Sequence, residues 1–234
     1  MKKSERSQWQ SPLPLRKPPG GDGYDIYPSF TLPDGMISSG YRSLAERLLE
    51  NAVIIIDGYN GVDWDRFEQE VSAAAAERGS GVRWIHSTRF FKSEEVITEM
   101  TAPWSGGDDP LFGKRCELEL ADFFNLSALR QTGPDSSFDI NIIAGPGAAL
   151  AGWNGLTAYA DLPKNELQYR AREGTVCNLG LRTPSGPKEM YKRSYFIDWP
   201  VLNRHKASLL ESVDIFVDSQ RPDEPAWIDG DNLR

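Results

Sequence analysis

The chain has 234 residues with 26 Lys and Arg against 34 Asp and Glu, a formal net charge of −8. That length fits one large α/β domain or two small ones, and nothing in the middle reads as a linker, so one domain is expected. The acidic balance gives no footprint for nucleic acid, and no apolar run approaches the roughly 20 residues of a membrane-spanning helix.

Residues 1–23, rich in Ser, Pro, Lys, Gly and Gln, read as a flexible tail. Ordered structure is expected from Tyr24-Asp25-Ile26-Tyr27-Pro28, and the main domain over 24–220. Residues 35–40 read as a turn. A helix follows over 41–51, with Leu44, Leu48 and Leu49 on one face. The β-branched run 53–56 is a buried strand that breaks at Asp57-Gly58 and leads through a glycine turn into a helix over 63–78, with Asp63 as N-cap. Gly79-Ser80-Gly81 ends that helix, and 82–86 is the second strand. Residues 93–101 form a short helix capped by Ser93. A glycine- and charge-rich loop over 103–115 precedes an expected helix over 117–129, with Leu118, Ala121, Phe124 and Leu129 as core positions. Strands are expected over 138–144 and 156–160. Pro163 opens a helix over 164–172, 195–199 is expected as a strand, 200–211 as a helix and 213–217 as a last strand. Residues 221–234 show no period and read as a linker or tail. Strands alternating with helices predict a mostly parallel sheet covered by helices on both faces, with ligands at the carboxyl ends of the strands.

Five stretches hold residue types that bind ligands, each with an ordinary alternative. In Asp57-Gly58-Tyr59-Asn60-Gly61 the glycines allow close backbone approach at a helix start, where N–H groups suit an anion. Gly58, Tyr59, Asn60 and Gly61 are therefore candidate ligand contacts, and Asp57 the candidate general base for a substrate hydroxyl. The alternative is a plain strand-to-helix turn. A Walker loop would need lysine and a hydroxyl where Asp63 and Trp64 stand. In the loop 106–115, Lys114 and Arg115 could clamp a phosphate, and Asp108 and Asp109 could hold Mg²⁺; a solvated loop is the alternative. Gly145-Pro146-Gly147 only partly imitates a dinucleotide fingerprint. Arg170 and Arg172 follow a strand ending in Asp161 and suit a lid over phosphates, although Glu166 and Arg170 also make an i,i+4 pair. Lys188, Lys192 and Arg193 form a local basic cluster that meets an anion or is simply solvated. His86 and His205 are far apart, which excludes a zinc site built on HExxH spacing. Cys116 and Cys177 have no CxxC spacing. With no apolar signal core after Met1-Lys2-Lys3, a reducing, cytoplasmic setting is expected.

The strand and loop 53–63, the strand 139–145 and the segment from Asp161 to Arg172 together resemble the uridine-kinase type of P-loop fold. That resemblance implies a P-loop-kinase-like α/β domain with a degenerate Walker A. A second resemblance spans nearly the whole chain. Tyr24-Asp25-Ile26-Tyr27-Pro28, Ile56-Asp57-Gly58-Tyr59-Asn60-Gly61-Val62, Gly107-Asp108-Asp109-Pro110-Leu111-Phe112-Gly113, Pro163-Lys164-Asn165-Glu166-Leu167-Gln168-Tyr169-Arg170 and Asp198-Trp199-Pro200-Val201-Leu202-Asn203-Arg204-His205-Lys206 are similar to the N-terminal region of bacterial proteins labelled class I mannose-6-phosphate isomerase. It implies a kinase-like module preceding a C-terminal cupin-type isomerase domain, with a phosphorylated sugar or nucleotide as ligand; no nucleic-acid or membrane partner is expected, on the charge balance and the lack of a long apolar run. The missing Walker lysine argues against efficient ATP-dependent phosphoryl transfer. The alternatives are a non-catalytic docking or regulatory domain for an isomerase, or an isomerase acting itself.

Overall fold

A computed structural model describes residues 32–234; the expectations for 1–23 and for Tyr24-Asp25-Ile26-Tyr27-Pro28 lie outside them. In chain order the elements are β1 (Ser38–Ser39), α1 (Tyr41–Leu48), β2 (Val53–Gly58), α2 (Trp64–Glu77), β3 (Val82–His86), α3 (Glu94–Thr101), α4 (Leu126–Arg130), β4 (Ile140–Ala144), β5 (Leu156–Asp161), α5 (Lys164–Glu173), α6 (Pro187–Arg193), a π-helical turn (Ser194–Asp198), α7 (Trp199–Leu209), β6 (Ile215–Asp218), β7 (Ala226–Asp229) and α8 (Gly230–Leu233).

The strands form one sheet in the order β1-β7-β6-β5-β2-β4-β3. The five from β6 to β3 are parallel, and β7 and β1 close the β6 edge in antiparallel pairings. Ile54, Ile55 and Ile56 of β2 are all buried, as are all five residues of β4. Successive strand side chains point to opposite faces, so the sheet is covered on both sides, as the sequence predicts. Each fully buried Ile contributes roughly 1.5–3 kcal/mol of hydrophobic transfer energy. The helices dock by apolar stripes: Tyr41, Leu44, Ala45 and Leu48 of α1 are buried at helical spacing. Asp63 caps α2 through the Arg66 N–H at 3.2 Å, and Ser93 caps α3 through the Val96 N–H at 3.4 Å.

Three expectations are corrected. The helix expected over 117–129 is interrupted by its own polar residues. Asp122 accepts from the Glu119 N–H at 2.8 Å, and Asn125 caps the short α4 through the Ala128 N–H at 3.3 Å. Phe124, extended between them, bridges to Phe91. Of its expected core, Phe124 and Leu129 are buried, whereas Leu118 and Ala121 are only half-buried.

The strand expected over 195–199 is instead the π-turn joining α6 to α7 into one helical rod. Its aromatic residues suggest a strand by propensity, but Pro200 decides the geometry. Proline has no N–H to give to the carbonyl four residues back. The Phe196 carbonyl therefore accepts from the Cys116 N–H at 2.7 Å, while Trp199 N–H reaches back to the Ser194 carbonyl.

The segment 221–234, expected to be a linker or tail, supplies β7 and α8. Its register, Ile215 opposite Asp229 through Asp218 opposite Ala226, makes it part of the sheet. A four-residue strand without a clean alternation carries too little periodicity to be read beforehand.

A candidate ligand cleft at the strand ends

The connection from β2 runs past β4 to β3, whereas that from β5 runs to β6 on the other side. β2 and β5 are neighbours, so a topological switch point lies between their carboxyl ends, where open α/β sheets take ligands. The residues at that crevice come from the loop after β2, the start of α5 and the rod α6–α7.

The loop after β2 is densely filled. Tyr59 is fully buried; its N–H bonds the Ala160 carbonyl at 2.8 Å and its hydroxyl donates to Asn203 Oδ1 at 3.1 Å. The Lys164 ammonium sits 3.5 Å from the Tyr59 ring centroid. Burial pulls the Lys164 pKa down to about 8 against the opposing pull of nearby Asp161, with Lys206 adding a smaller depression. Asn60 Nδ2 donates to the Cys177 carbonyl at 2.7 Å. A Cβ on Gly58 would lie 2.4 Å from the Ala160 carbonyl oxygen and 2.8 Å from the Trp64 ring. Gly61 has φ +101°, and the Leu167 methyl occupies the space a Cβ would need. Gly58 and Gly61 thus serve close packing of the chain on itself, and the loop is not an open cradle for a triphosphate.

Asp57 has a different place from the one its sequence position suggests. Its carboxylate is fully buried and accepts from the Gly58 N–H at 2.7 Å, the Gly147 N–H at 3.1 Å, the Ala149 N–H at 2.8 Å and His205 Nε2 at 2.8 Å. A general base needs a lone pair within reach of a substrate proton. Asp57 instead ties β2 to the 145–149 turn and to α7.

Arg170 is likewise built in. It is buried, donates Nε to Glu166 at 2.9 Å and Nη1 to the Gly61 carbonyl at 2.7 Å, and gives Nη2 to the Ser219 and Gln220 carbonyls at 3.1 and 3.3 Å. It holds the β2 loop shut and is not presented to a phosphate. Lys114 and Arg115 are exposed on the loop before Cys116, away from the cleft lining. Asp109 Oδ1 accepts from the Leu111 and Phe112 N–H groups at 2.8 and 2.9 Å, which hold its carboxyl below the usual range. Asp108 is exposed beside it, and among the described residues no group of three His, Cys, Asp or Glu gathers to hold a metal.

Of the predicted ligand residues, Arg172 faces an outer cleft, and Tyr59 and Asn60 line a smaller cavity beneath it. Arg172 lies on the wall of a concavity of about 240 Å³ between α5 and the α6–π segment, with Lys188 opposite and Gln168, Tyr191, Ser194 and Trp199 around it. Tyr191 and Trp199 meet edge to face at 5.7 Å. Beneath it, and sharing the walls Leu167, Ala171, Ser194 and Trp199, is an inner cavity of about 20 Å³ that also touches Tyr59, Asn60, Asn178 and Asp198. Asp198 is 2% exposed. Its Oδ2 accepts from Asn178 Nδ2 at 2.6 Å and the Leu179 N–H at 3.2 Å, while Oδ1 makes no hydrogen bond among the described residues and lies 3.7 Å from Arg193 Nε. Burial pushes its carboxyl up; Arg193 and the Asn178 and Leu179 donors oppose that. Sequence reading quoted Asp198 and Trp199 only within a resemblance motif and named neither them nor Asn178 as ligand residues. The signal was Trp199-Pro200, since a proline next to an aromatic run demotes a strand.

These features define a mostly parallel α/β domain with a small polar and aromatic cleft between α5 and α6, over an inner cavity that reaches the loop after β2. The chain belongs to the family whose model, described as Domain of unknown function (DUF8485), matches residues 40–234. No curated protein matches it. Among solved structures it is similar to a protein described as a fructose transport system kinase from a Silicibacter species, at 12% identity and a TM-score of 0.48, over 71% of this chain and 94% of that one.

Proposed function

We propose that the domain binds a small phosphorylated ligand, a sugar phosphate or a nucleotide, in the cleft between α5 and α6, as a kinase-like module without efficient phosphoryl transfer. The observation that carries this is the pairing of Arg172 and Lys188 across a concavity walled by Tyr191 and Trp199 between α5 and α6. Two cations satisfy a phosphate, and the aromatic walls offer stacking surface to a ring. The absence of phosphoryl transfer is supported by the filled β2 loop, where Tyr59, Trp64 and Leu167 occupy the room a triphosphate would need. Among the described residues the cleft lining holds no carboxylate for Mg²⁺, so the ion, if used, would be held by the ligand's own phosphate. The link to a cupin-type mannose-6-phosphate isomerase rests on sequence resemblance and belongs to the same proposal, with the module presenting or sensing the isomerase's phosphosugar.

A docking role is the second reading. It is favoured by a separate groove of about 580 Å³ over β6 and β7, where Ile37 and Leu233 are 59% and 52% exposed beside Phe216 and Trp227. The test is thermal unfolding with ATP, GTP, mannose 6-phosphate, fructose 6-phosphate and free mannose, with and without Mg²⁺. A ligand at about 100 times its Kd adds roughly 2.7 kcal/mol. A rise with phosphorylated ligands that disappears in Arg172→Ala/Lys188→Ala supports the cleft. A flat panel refutes small-ligand binding and leaves the docking reading.

A further inference from the structure

The phosphate reading, on which this inference rests, uses only the rim of the cleft and leaves the polar cluster beneath it without a task. Asn178 gives its Nδ2 to Ser194 Oγ at 3.0 Å as well as to Asp198 and to the Met190 carbonyl at 3.1 Å. Asp198 is held from below by these donors and keeps one oxygen unbonded. Among the described residues that oxygen accepts no hydrogen bond and has only the Arg193 guanidinium beside it, its Nε 3.7 Å away, so it can still take a donor. The cavity it lines has the volume of one water-sized group. Ser194 lies on the walls of both the inner cavity and the outer cleft.

The π-turn is what makes this arrangement. Asn178 reaches three positions of the rod at once, Met190, Ser194 and Asp198, spaced by four residues across the junction of α6 and the wide turn. π-helical turns of this kind recur at functional sites.

We propose that the inner cavity is a hydroxyl subsite, and that the ligand is therefore a monosaccharide monophosphate rather than a nucleotide. Its phosphate lies between Arg172 and Lys188, and one ring hydroxyl enters the inner cavity, donating to Asp198 and meeting Ser194. A hydroxyl both donates and accepts, which suits a carboxylate next to a serine. An outer cleft of about 240 Å³ falls below the roughly 300–1,000 Å³ of pockets for drug-sized ligands, which suits one sugar ring better than a base and ribose together.

The test uses the full chain and calorimetric titration with ethyl phosphate, mannose 6-phosphate and AMP. Mannose 6-phosphate is expected to bind at least about tenfold more tightly than ethyl phosphate, the gain from a charge-assisted hydroxyl contact. Asp198→Asn and, separately, Ser194→Ala should shrink that preference, the ratio of the two affinities, to less than about threefold. Circular dichroism checks that each variant is folded, and the serine variant stands in if Asp198→Asn is not. An unchanged preference in the folded variants, or AMP binding as tightly as mannose 6-phosphate, overturns the hydroxyl subsite while the phosphate reading stands. No affinity for any of the three esters overturns the phosphate reading itself, and the subsite with it.

Discussion

Replacing Asp57 with alanine removes the acceptor of three backbone N–H groups and of His205 at one stroke. All four donors sit around a carboxylate that no solvent reaches, so water cannot take over their bonds without opening the sheet. A buried donor left unsatisfied costs about 1–3 kcal/mol. The four are neighbours, so their costs do not add in full. A total of roughly 3–5 kcal/mol is expected, the range for breaking a buried charged network. For a chain of this size each kcal/mol moves the melting midpoint by about 2–4 °C, which gives a fall of roughly 6–20 °C. Asp57→Asn keeps the volume and one acceptor and should fall less. The assay is thermal unfolding followed by circular dichroism, in parallel with ligand titration at a temperature where the variant is folded. If Asp57→Ala melted within about 3 °C of the parent, less than one broken buried bond, yet lost ligand turnover or binding, the structural role argued here would be wrong and the general-base role would return.

Other outcomes are equally specific. Arg172→Ala and Lys188→Ala should each weaken phosphate-ester binding by about tenfold, the scale of one charge-assisted hydrogen bond, with melting midpoints almost unchanged because both side chains are exposed; calorimetry checks it. Gly58→Ala should destabilise by about 1–3 kcal/mol, since its Cβ would press on the Ala160 backbone of the next strand, which cannot turn away, as well as on the Trp64 ring; urea unfolding measures this. The Lys164 pKa is lowered on folding to about 8 from its ordinary 10.5. Between these values the unfolded chain binds more protons, so stability from this group rises with pH across the window and its penalty is fully present below it. Comparing the pH dependence of unfolding with Lys164→Met should show that rise only in the parent, and an amine reagent at pH 8 should label Lys164 ahead of the exposed Lys114.

The sheet was legible because its strands are short β-branched runs ended by glycine or Asp. Val53 to Ile56, ended by Asp57-Gly58, and Ile140 to Ala144, ended by Gly145, have that character, and the caps Asp63 and Ser93 mark the starts of α2 and α3. The cleft was hard to read because charge in a sequence says nothing of whether it is spoken for. Arg170 and Arg172 are two residues apart on one helix, so they point to different sides. Arg170 is consumed by Glu166 and three carbonyls, whereas Arg172 reaches the cleft. Asp57 misled for a related reason. A carboxylate at the end of a central strand is where a base belongs, but the 145–149 turn folds over it from ninety residues away, and no local pattern announces that contact.

The rod α6–α7 behaves like a shaft with a phase. Each α-helical residue turns the chain by about 100° and advances it by about 1.5 Å. The π-turn holds more residues than an α-turn would, and so it sets the angle at which everything beyond it faces the sheet. Asp198 meets Asn178 on one side of this junction, and His205 meets Asp57 on the other. The two contacts can be made together only at one angular offset, with Pro200 and Cys116 fixing where the slip is absorbed. The candidate cleft and the buried Asp57 carboxylate are thereby geared to each other, and one residue lost between Ser194 and Asp198 would take both out of mesh.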